Sequence, residues 1–258
     1  MSSESPQEEL LQWHYRLGNF LFTQLQLLSA LGVLPRKLLK VNPPKCAGCL
    51  YGAMKKRSWR TKSTNNRGSI REASAPGECI SVDHVESSTP GFIAQLKGNT
   101  NKHICRTETI FLDQCSDMTY VHLQIELSSE EIVEAKKAFD AYTRAYKVKI
   151  KHYHTDNGRF TDNAFLQVVT EESQTMTYCG VNAYFQNGKA ENRKRYLQDQ
   201  TRKQLQHAKS RWPSAVKLAL WPYAPRQATH LRNCLQDKED ASSLLERFSR
   251  ISIAPKFR

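Results

Sequence analysis

The chain has 258 residues, 39% of them apolar and 24% charged, which suffices for one catalytic-sized domain with a small module attached. Its net charge is +13, its acidic start MSSESPQEEL is unlike a signal peptide, and no stretch approaches the roughly 20 apolar residues of a membrane span. Seven cysteines, five of them scattered, do not form a disulfide framework; buried free thiols in a reducing, intracellular setting are expected, with no membrane partner.

Residues 8–40 predict helix, because Leu10, Trp13, Leu17, Leu21, Leu25 and Leu28 recur three and four apart. Pro43-Pro44 stops that pattern just before Cys46-Ala-Gly-Cys49. From Lys55 the composition turns basic, then rich in Ser, Asn and Gly, as in a linker. Cys79 to Asp83 reads as a short strand ending on an acid. Thr107–Phe111 and Thr119–Ile125 are β-rich runs around a hairpin turn, Asp113 to Asp117. Ser128-Ser-Glu-Glu131 predicts a capping box, and the helix behind it places Ile132, Ala135, Phe139, Tyr142 and Tyr146 on one face. A strand from Val148 to Asp156 follows, then a helix near 162–172 and a strand over 175–179. A long polar helix spans about 189–209, with Leu197, Thr201, Leu205 and Ala208 as its buried stripe. Ala215–Ala228 predicts a last helical stretch, and Trp212 and Trp221 are expected to serve packing. The order implies an α/β fold, a mixed sheet flanked by helices. The expected divisions are a module over 1–60, a basic linker over 61–77, a core over 78–235 and a polar tail over 236–258.

The charge is unevenly placed. Between Leu10 and Arg71 there are twelve Lys and Arg and no acid, and Lys189 to Arg211 forms a second basic run. Lys55, Lys56, Arg57, Lys189, Lys194, Arg195 and Arg202 are the candidate contacts to nucleic acid. A solvated, solubilising surface would carry the same charges.

Asp83 and Asp156 each end a predicted strand, and Glu191 falls in the first turn of a predicted helix. Such placements can gather three carboxylates at one sheet edge. Hard carboxylate oxygens suit Mg²⁺. A pair of such ions roughly 3.5–4 Å apart can drive in-line phosphoryl transfer. Turn chemistry is the competing account of Asp156-Asn157-Gly158 and explains Asp113 and Asp117 outright, while Asp162 suits a helix cap.

Five stretches in order carry a resemblance: SVDHVESSTPGFIAQLKG, TIFLDQCSDMTYVHLQ, SSEEIVEAKKAFDAY, KIKHYHTDNGRFTDNAF and CGVNAYFQNGKAENRKR. From about Trp13 to Asn233 the chain resembles the integrase of copia-type (Pseudoviridae) retrotransposons. The family's D,D-35-E pattern maps onto Asp83, Asp156 and Glu191, with 34 residues between the last two. The resemblance implies an RNase H-like fold and a strand transferase, an endonuclease-like enzyme that joins element ends to target DNA. It further implies two Mg²⁺ (or Mn²⁺) on the three acids, double-stranded DNA as partner, a homo-oligomer when active, and nuclear work in a eukaryotic cell.

The N-terminal part resembles that family's pre-integrase zinc module: Trp-His, Leu-Gly-His, then Cys-x-x-Cys. Trp13-His14 and Cys46 with Cys49 match, but Asn19 stands where the family has its second histidine. The implied Zn²⁺ ligands are therefore His14, Cys46 and Cys49, and weak binding, a substitute ligand and no zinc remain the alternatives. Phe185 and Asn192 also depart from the family's usual His and Arg. No reverse transcriptase region follows, so a fragment or a decayed copy is expected. Three functions compete: an active strand transferase, a nucleic-acid-binding remnant that has lost catalysis, and a zinc-dependent interaction module on an inert core.

Overall fold

The structure, a computed structural model, describes residues 5–54, 73–92, 104–156, 158–180, 187–236 and 242–252. Its centre is a five-stranded mixed sheet of order β3-β2-β1-β4-β5. β1 (Ile80–Phe92), β2 (Ile104–Asp113) and β3 (Thr119–Gln124) form an antiparallel meander. β4 (His152–Thr155) pairs parallel to β1, and β5 (Thr175–Tyr178) parallel to β4. Parallel neighbours need crossovers, and α4 (Ser129–Ala145) and α5 (Asn163–Glu171) supply them.

Strand alternation divides the apolar residues between two layers. On one face Val82, Phe111, Tyr153 and Ile80 meet Ile132, Ala135 and Phe139 of α4 and Phe165 of α5. On the other, Ile110 packs against Leu197 of α6 (Gly188–Arg211) and Ala228 of α7 (Tyr223–Cys234). Asp83 pairs in register with Ile110, so it faces α6.

Several boundaries differ from the sequence reading, each for a physical reason. The helix expected over 8–40 is two, α1 (Pro6–Arg16) and α2 (Phe22–Ala30). Gly18 and Asn19 lie between them at φ of 64° and 62°, a left-handed pair that no helix can contain. β1 does not stop at Asp83 but runs on to Phe92, through a register shift between Glu86 and Gly91 that absorbs Pro90. The strand before Asp156 is shorter than expected, because Lys147 at φ 60° ends the preceding turn and Val148 to Lys151 have no β1 partner. Only half of the expected box at Ser128 forms: its side chain accepts from the Glu131 N–H, but the Glu131 carboxylate takes the Ile125 N–H instead.

The buried face of α6 is Ala190, Arg193, Leu197 and Gln200; of the predicted stripe only Leu197 is fully buried. Arg193 is tolerated inside because its guanidinium donates to the Asp117 carbonyl and the Thr119 hydroxyl. Trp221 is buried and donates its indole N–H to the Thr89 carbonyl, whereas Trp212 is mostly exposed. The stretch read as a polar tail contains α8 (Leu244–Ser249), whose Leu244, Leu245 and Phe248 complete the α4-side core. Of the five scattered thiols, all free, Cys105 and Cys179 are buried, Cys79 and Cys234 half-buried, and Cys115 exposed.

The N-terminal module consists of α1, α2, a 3-10 turn at Arg36–Leu38 and α3 (Ala47–Gly52). Leu10, Leu17, Phe20, Leu25, Leu28, Leu34 and Leu38 form its core, together with Leu235 from beyond α7. It docks on the distal half of α6. Tyr15 stacks on His207 at 3.9 Å, and Gln204 donates to the Gly18 carbonyl. Among the described residues no helix is long and apolar enough to cross a membrane.

Candidate functional site

Three secondary structures position the three acids. Asp83 is the fourth residue of β1, Asp156 directly follows β4, and Glu191 lies in the first turn of α6. β1 and β4 are parallel neighbours, so both aspartates emerge toward the same end of the sheet. The start of α6 is tied there by Asn187, a buried residue whose amide donates to the Val82 carbonyl at 2.9 Å. Lys189 donates to the Gln114 carbonyl at 2.9 Å, a second tether to the sheet.

Asp83 is nearly withdrawn from solvent. Burial pushes its carboxyl above the usual range, Lys194 and the His84 N–H pull it back down, and the charge of Asp156 raises it again. The Lys194 ammonium donates to both Asp83 oxygens, at 2.9 and 3.1 Å. The Asp156 carboxylate accepts the Gly158 N–H at 3.3 Å. Glu191 is held by Arg195, one turn on, at 2.8 Å. Asp156 and Glu191 both raise the Cys179 thiol, after burial, so this cysteine lies within the electrostatic reach of the two acids. The three carboxylates nevertheless do not come within 4.8 Å of one another: among the described residues only His14, Cys46 and Cys49 form such a group.

The donor set suits a hard dication. Three carboxylates offer oxygens alone, and the Asp83 carboxylate already holds a cationic group against it. A cavity of about 560 Å³ lies elsewhere, between β3, α4 and α7, lined by Tyr120, Tyr142 and Arg226 among others. None of the three acids lines it.

Of the other predicted contacts, Arg202 pairs with Asp199 and donates to the Gly52 carbonyl, joining α6 to α3. Lys55, Lys56, Arg57 and Phe185 lie outside the described residues. Sequence reasoning missed His84, which stacks on Phe160 at 4.2 Å and hydrogen-bonds Thr109 at 3.0 Å. It also missed Asn187, which reads as an ordinary turn residue before Gly188.

The second cluster is in the module. The His14 Nδ1–H donates to the Phe20 carbonyl at 2.6 Å, which turns the Nε2 lone pair toward Cys49 Sγ at 3.2 Å. This is the tautomer that metal ligation needs. The fourth corner is filled by Asn19, whose amide nitrogen lies 3.2 Å from His14 Nε2, 3.6 Å from Cys46 Sγ and 3.8 Å from Cys49 Sγ. An amide N–H donates and cannot ligate. Burial lowers His14 and, with Cys46 beside it, pushes the Cys49 thiol up to about 11, and the Asn19 amide closes the cluster by hydrogen bonding. His14, Cys46 and Cys49 fit three corners of a zinc site; Asn19 does not fit the fourth.

No family profile matches the chain, and no curated protein does. Solved structures do. The simian T-cell lymphotropic virus intasome, in complex with a PP2A regulatory subunit, aligns at a TM-score of 0.54 and 16% identity, over 77% of this chain and 64% of that one. The HTLV-2 integrase catalytic core with magnesium aligns at 0.46 and 16% identity, over 68% and 98%. The BIV integrase core aligns at 0.45 and 11% identity, over 67% and 95%. At such identities the likeness shows the fold alone: a mixed five-stranded sheet flanked by helices, an architecture shared with the intasome protein.

Proposed function

We propose that the chain is an integrase of the copia type, a polynucleotidyl transferase that joins element DNA ends to target DNA. The observation that carries the reading is topological. Asp83 and Asp156 belong to neighbouring parallel strands and lie toward one end of the sheet, and Asn187 ties the start of α6, with Glu191 in its first turn, to the Val82 carbonyl beside Asp83. In this reading the three acids hold two Mg²⁺ (or Mn²⁺). Bound there, the ions would activate a water or 3′-hydroxyl and stabilise the leaving oxygen. The chain itself does the positioning. Asn187 and Lys189 fix the start of α6 on the sheet, and the positive end of the helix favours the Glu191 carboxylate. The basic face of α6 and the Leu10–Arg71 region take duplex phosphates, in a homo-oligomer that brings two DNA ends together in the nucleus.

The test is a Mg²⁺-dependent strand-transfer or disintegration assay with labelled duplex ends. Asp83→Asn is expected to lower the rate at least about 100-fold, in keeping with loss of a group that organises the reacting centre, while the thermal transition stays intact. Full activity in that variant would remove Asp83 from the role. A second reading has its own observation: Lys194 and Arg195 already neutralise two of the acids, and the carboxylates stand apart. That suits a remnant which binds DNA without chemistry, and it predicts salt-sensitive duplex binding with no turnover in the native chain.

A further inference from the structure

Lys194 occupies an unusual position for a residue on a basic, DNA-facing helix. Its ammonium does not point outward; it sits on both oxygens of Asp83, a carboxylate largely withdrawn from water. Arg195, the next residue, holds Glu191 in the same way, though both partners are more exposed. Two consecutive cations on α6 thus cover two of the three acids. We propose that Lys194 and Arg195 are resident counter-ions of the metal site, which exchange their carboxylates for DNA phosphates when the metal binds. The inference rests on the reading of Asp83 and Glu191 as metal ligands.

The physical argument is charge balance. Burying a carboxylate is costly unless a cation accompanies it, and here Lys194 does so, donating to both Asp83 oxygens. A dication held by the same oxygens makes that ammonium redundant and repels it. Lysine is suited to leaving: a point charge on a flexible four-carbon stem loses no fixed bidentate geometry. Arg195 and Glu191 form a half-exposed helical pair, which is weak and cheap to break. Once released, both cations lie one helical turn from the acid site, where a phosphate of the reacting strand would stand. Metal and DNA would therefore assist each other, and by linkage each must tighten the other by the same factor.

The experiment is Mn²⁺ titration of the full chain, followed by electron paramagnetic resonance, with and without a DNA duplex. Lys194→Met, which keeps the stem and removes the charge, is expected to bind Mn²⁺ at least about tenfold tighter than the native chain without DNA. Duplex DNA should tighten Mn²⁺ binding about tenfold in the native chain, and by much less in Lys194→Met. Lys194→Gln gives the same comparison should the methionine perturb the fold. A second readout is the salt dependence of duplex binding. With Mn²⁺ present, Lys194→Met should flatten the slope by about 0.9, and without it the slope should not change, because Lys194 is then tied to Asp83. Equal Mn²⁺ affinity in the native chain and both Lys194 variants would overturn the exchange. Asp83→Asn separates the two levels. If it abolishes Mn²⁺ binding while the Lys194 variants change nothing, only the exchange fails; if it binds Mn²⁺ like the native chain, the metal-site reading fails as well.

Discussion

His84 and Glu108 lie on adjacent inner strands and are perturbed in opposite directions. Burial lowers His84 from 6.5 to about 3, and burial raises Glu108 from 4.5 to about 8. The neutral ring of His84 contributes stability that is complete above about pH 6.5 and is lost as pH falls toward 3. The protonated Glu108 contributes stability that is complete below about pH 4.5 and is lost as pH rises through 8. Between these limits the two trends oppose each other, so stability should be flat near pH 4.5–6.5 and fall on both sides. Glu108→Gln removes the alkaline fall, and at pH 8 it should stabilise the chain by roughly 1–3 kcal/mol, the cost of an unmet buried polar group. Urea unfolding of both proteins at pH 6 and pH 8 checks this; parallel pH profiles would contradict it. At Asn19 the expected change is chemical. The native full chain should carry substoichiometric zinc by elemental analysis, and Asn19→His should approach one per chain, since imidazole restores a fourth ligand and histidine tolerates a positive φ. Stoichiometric zinc in the native chain would point to a substitute ligand. At this scale the sequence made residue types legible. Asp83, Asp156 and Glu191 could be picked out as two strand-end acids and a helix-start acid. Their grouping, like that of His14, Cys46 and Cys49, came from the resemblance to the copia-type integrases rather than from spacing alone. Lys194 against Asp83 was not legible, because 111 residues separate them and only the folded sheet joins them.

Among the elements, those fixed by local chemistry were readable and those fixed by contact were not. α5 begins where Asp162 caps the Ala164 N–H, as its sequence suggests. β2, β3 and their turn follow from β-rich runs around Asp113, whose carboxylate accepts the Ser116 N–H and hydroxyl. The buried face of α6 was misjudged because patterning excludes Arg193 and Gln200 from any apolar stripe. β1 was read as ending at Asp83, whereas it runs on to Phe92, where Trp221 packs against Gly91 and donates to the Thr89 carbonyl. The seat of α3 on α6 is likewise a contact effect. A Cβ on Gly52 would lie 2.7 Å from the Lys203 side chain and 2.9 Å from its Cα. Gly52→Val should therefore cost roughly 1–3 kcal/mol through overpacking. Hydrogen exchange should rise in α3 and in the distal half of α6, while the strands keep their protection. Unchanged exchange in α3 would show that the module does not depend on this seat.

Across the whole molecule, charge placement makes a prediction that does not depend on catalysis. The Leu10–Arg71 region and the Lys189–Arg211 run hold most of the positive charge. Duplex affinity should fall steeply with salt, each neutralised phosphate contributing about 0.9 to the slope of log K against log salt, with weak preference for sequence. Salt titration by fluorescence anisotropy measures it; a flat plot would make these surfaces solubilising only. The α/β class, a mixed sheet flanked by helices, was legible from element order, but the joining of the parts was not. The N-terminal module takes Leu235 into its core and α6 as its seat, contacts that element order does not reveal.

That borrowed leucine has a consequence for how the protein is made. A nascent chain grows from its amino end at about 5–20 residues per second. Leu10 and its neighbours therefore emerge roughly 10–45 s before Leu235 at that pace. During that interval the ribosome presents a half-built leucine cluster to the cell, with neither its last residue nor its supporting helix yet translated. Although its first helices are translated well before α6, this module is completed only once Leu235 has emerged, and until then its exposed leucines are a natural station for a holding chaperone.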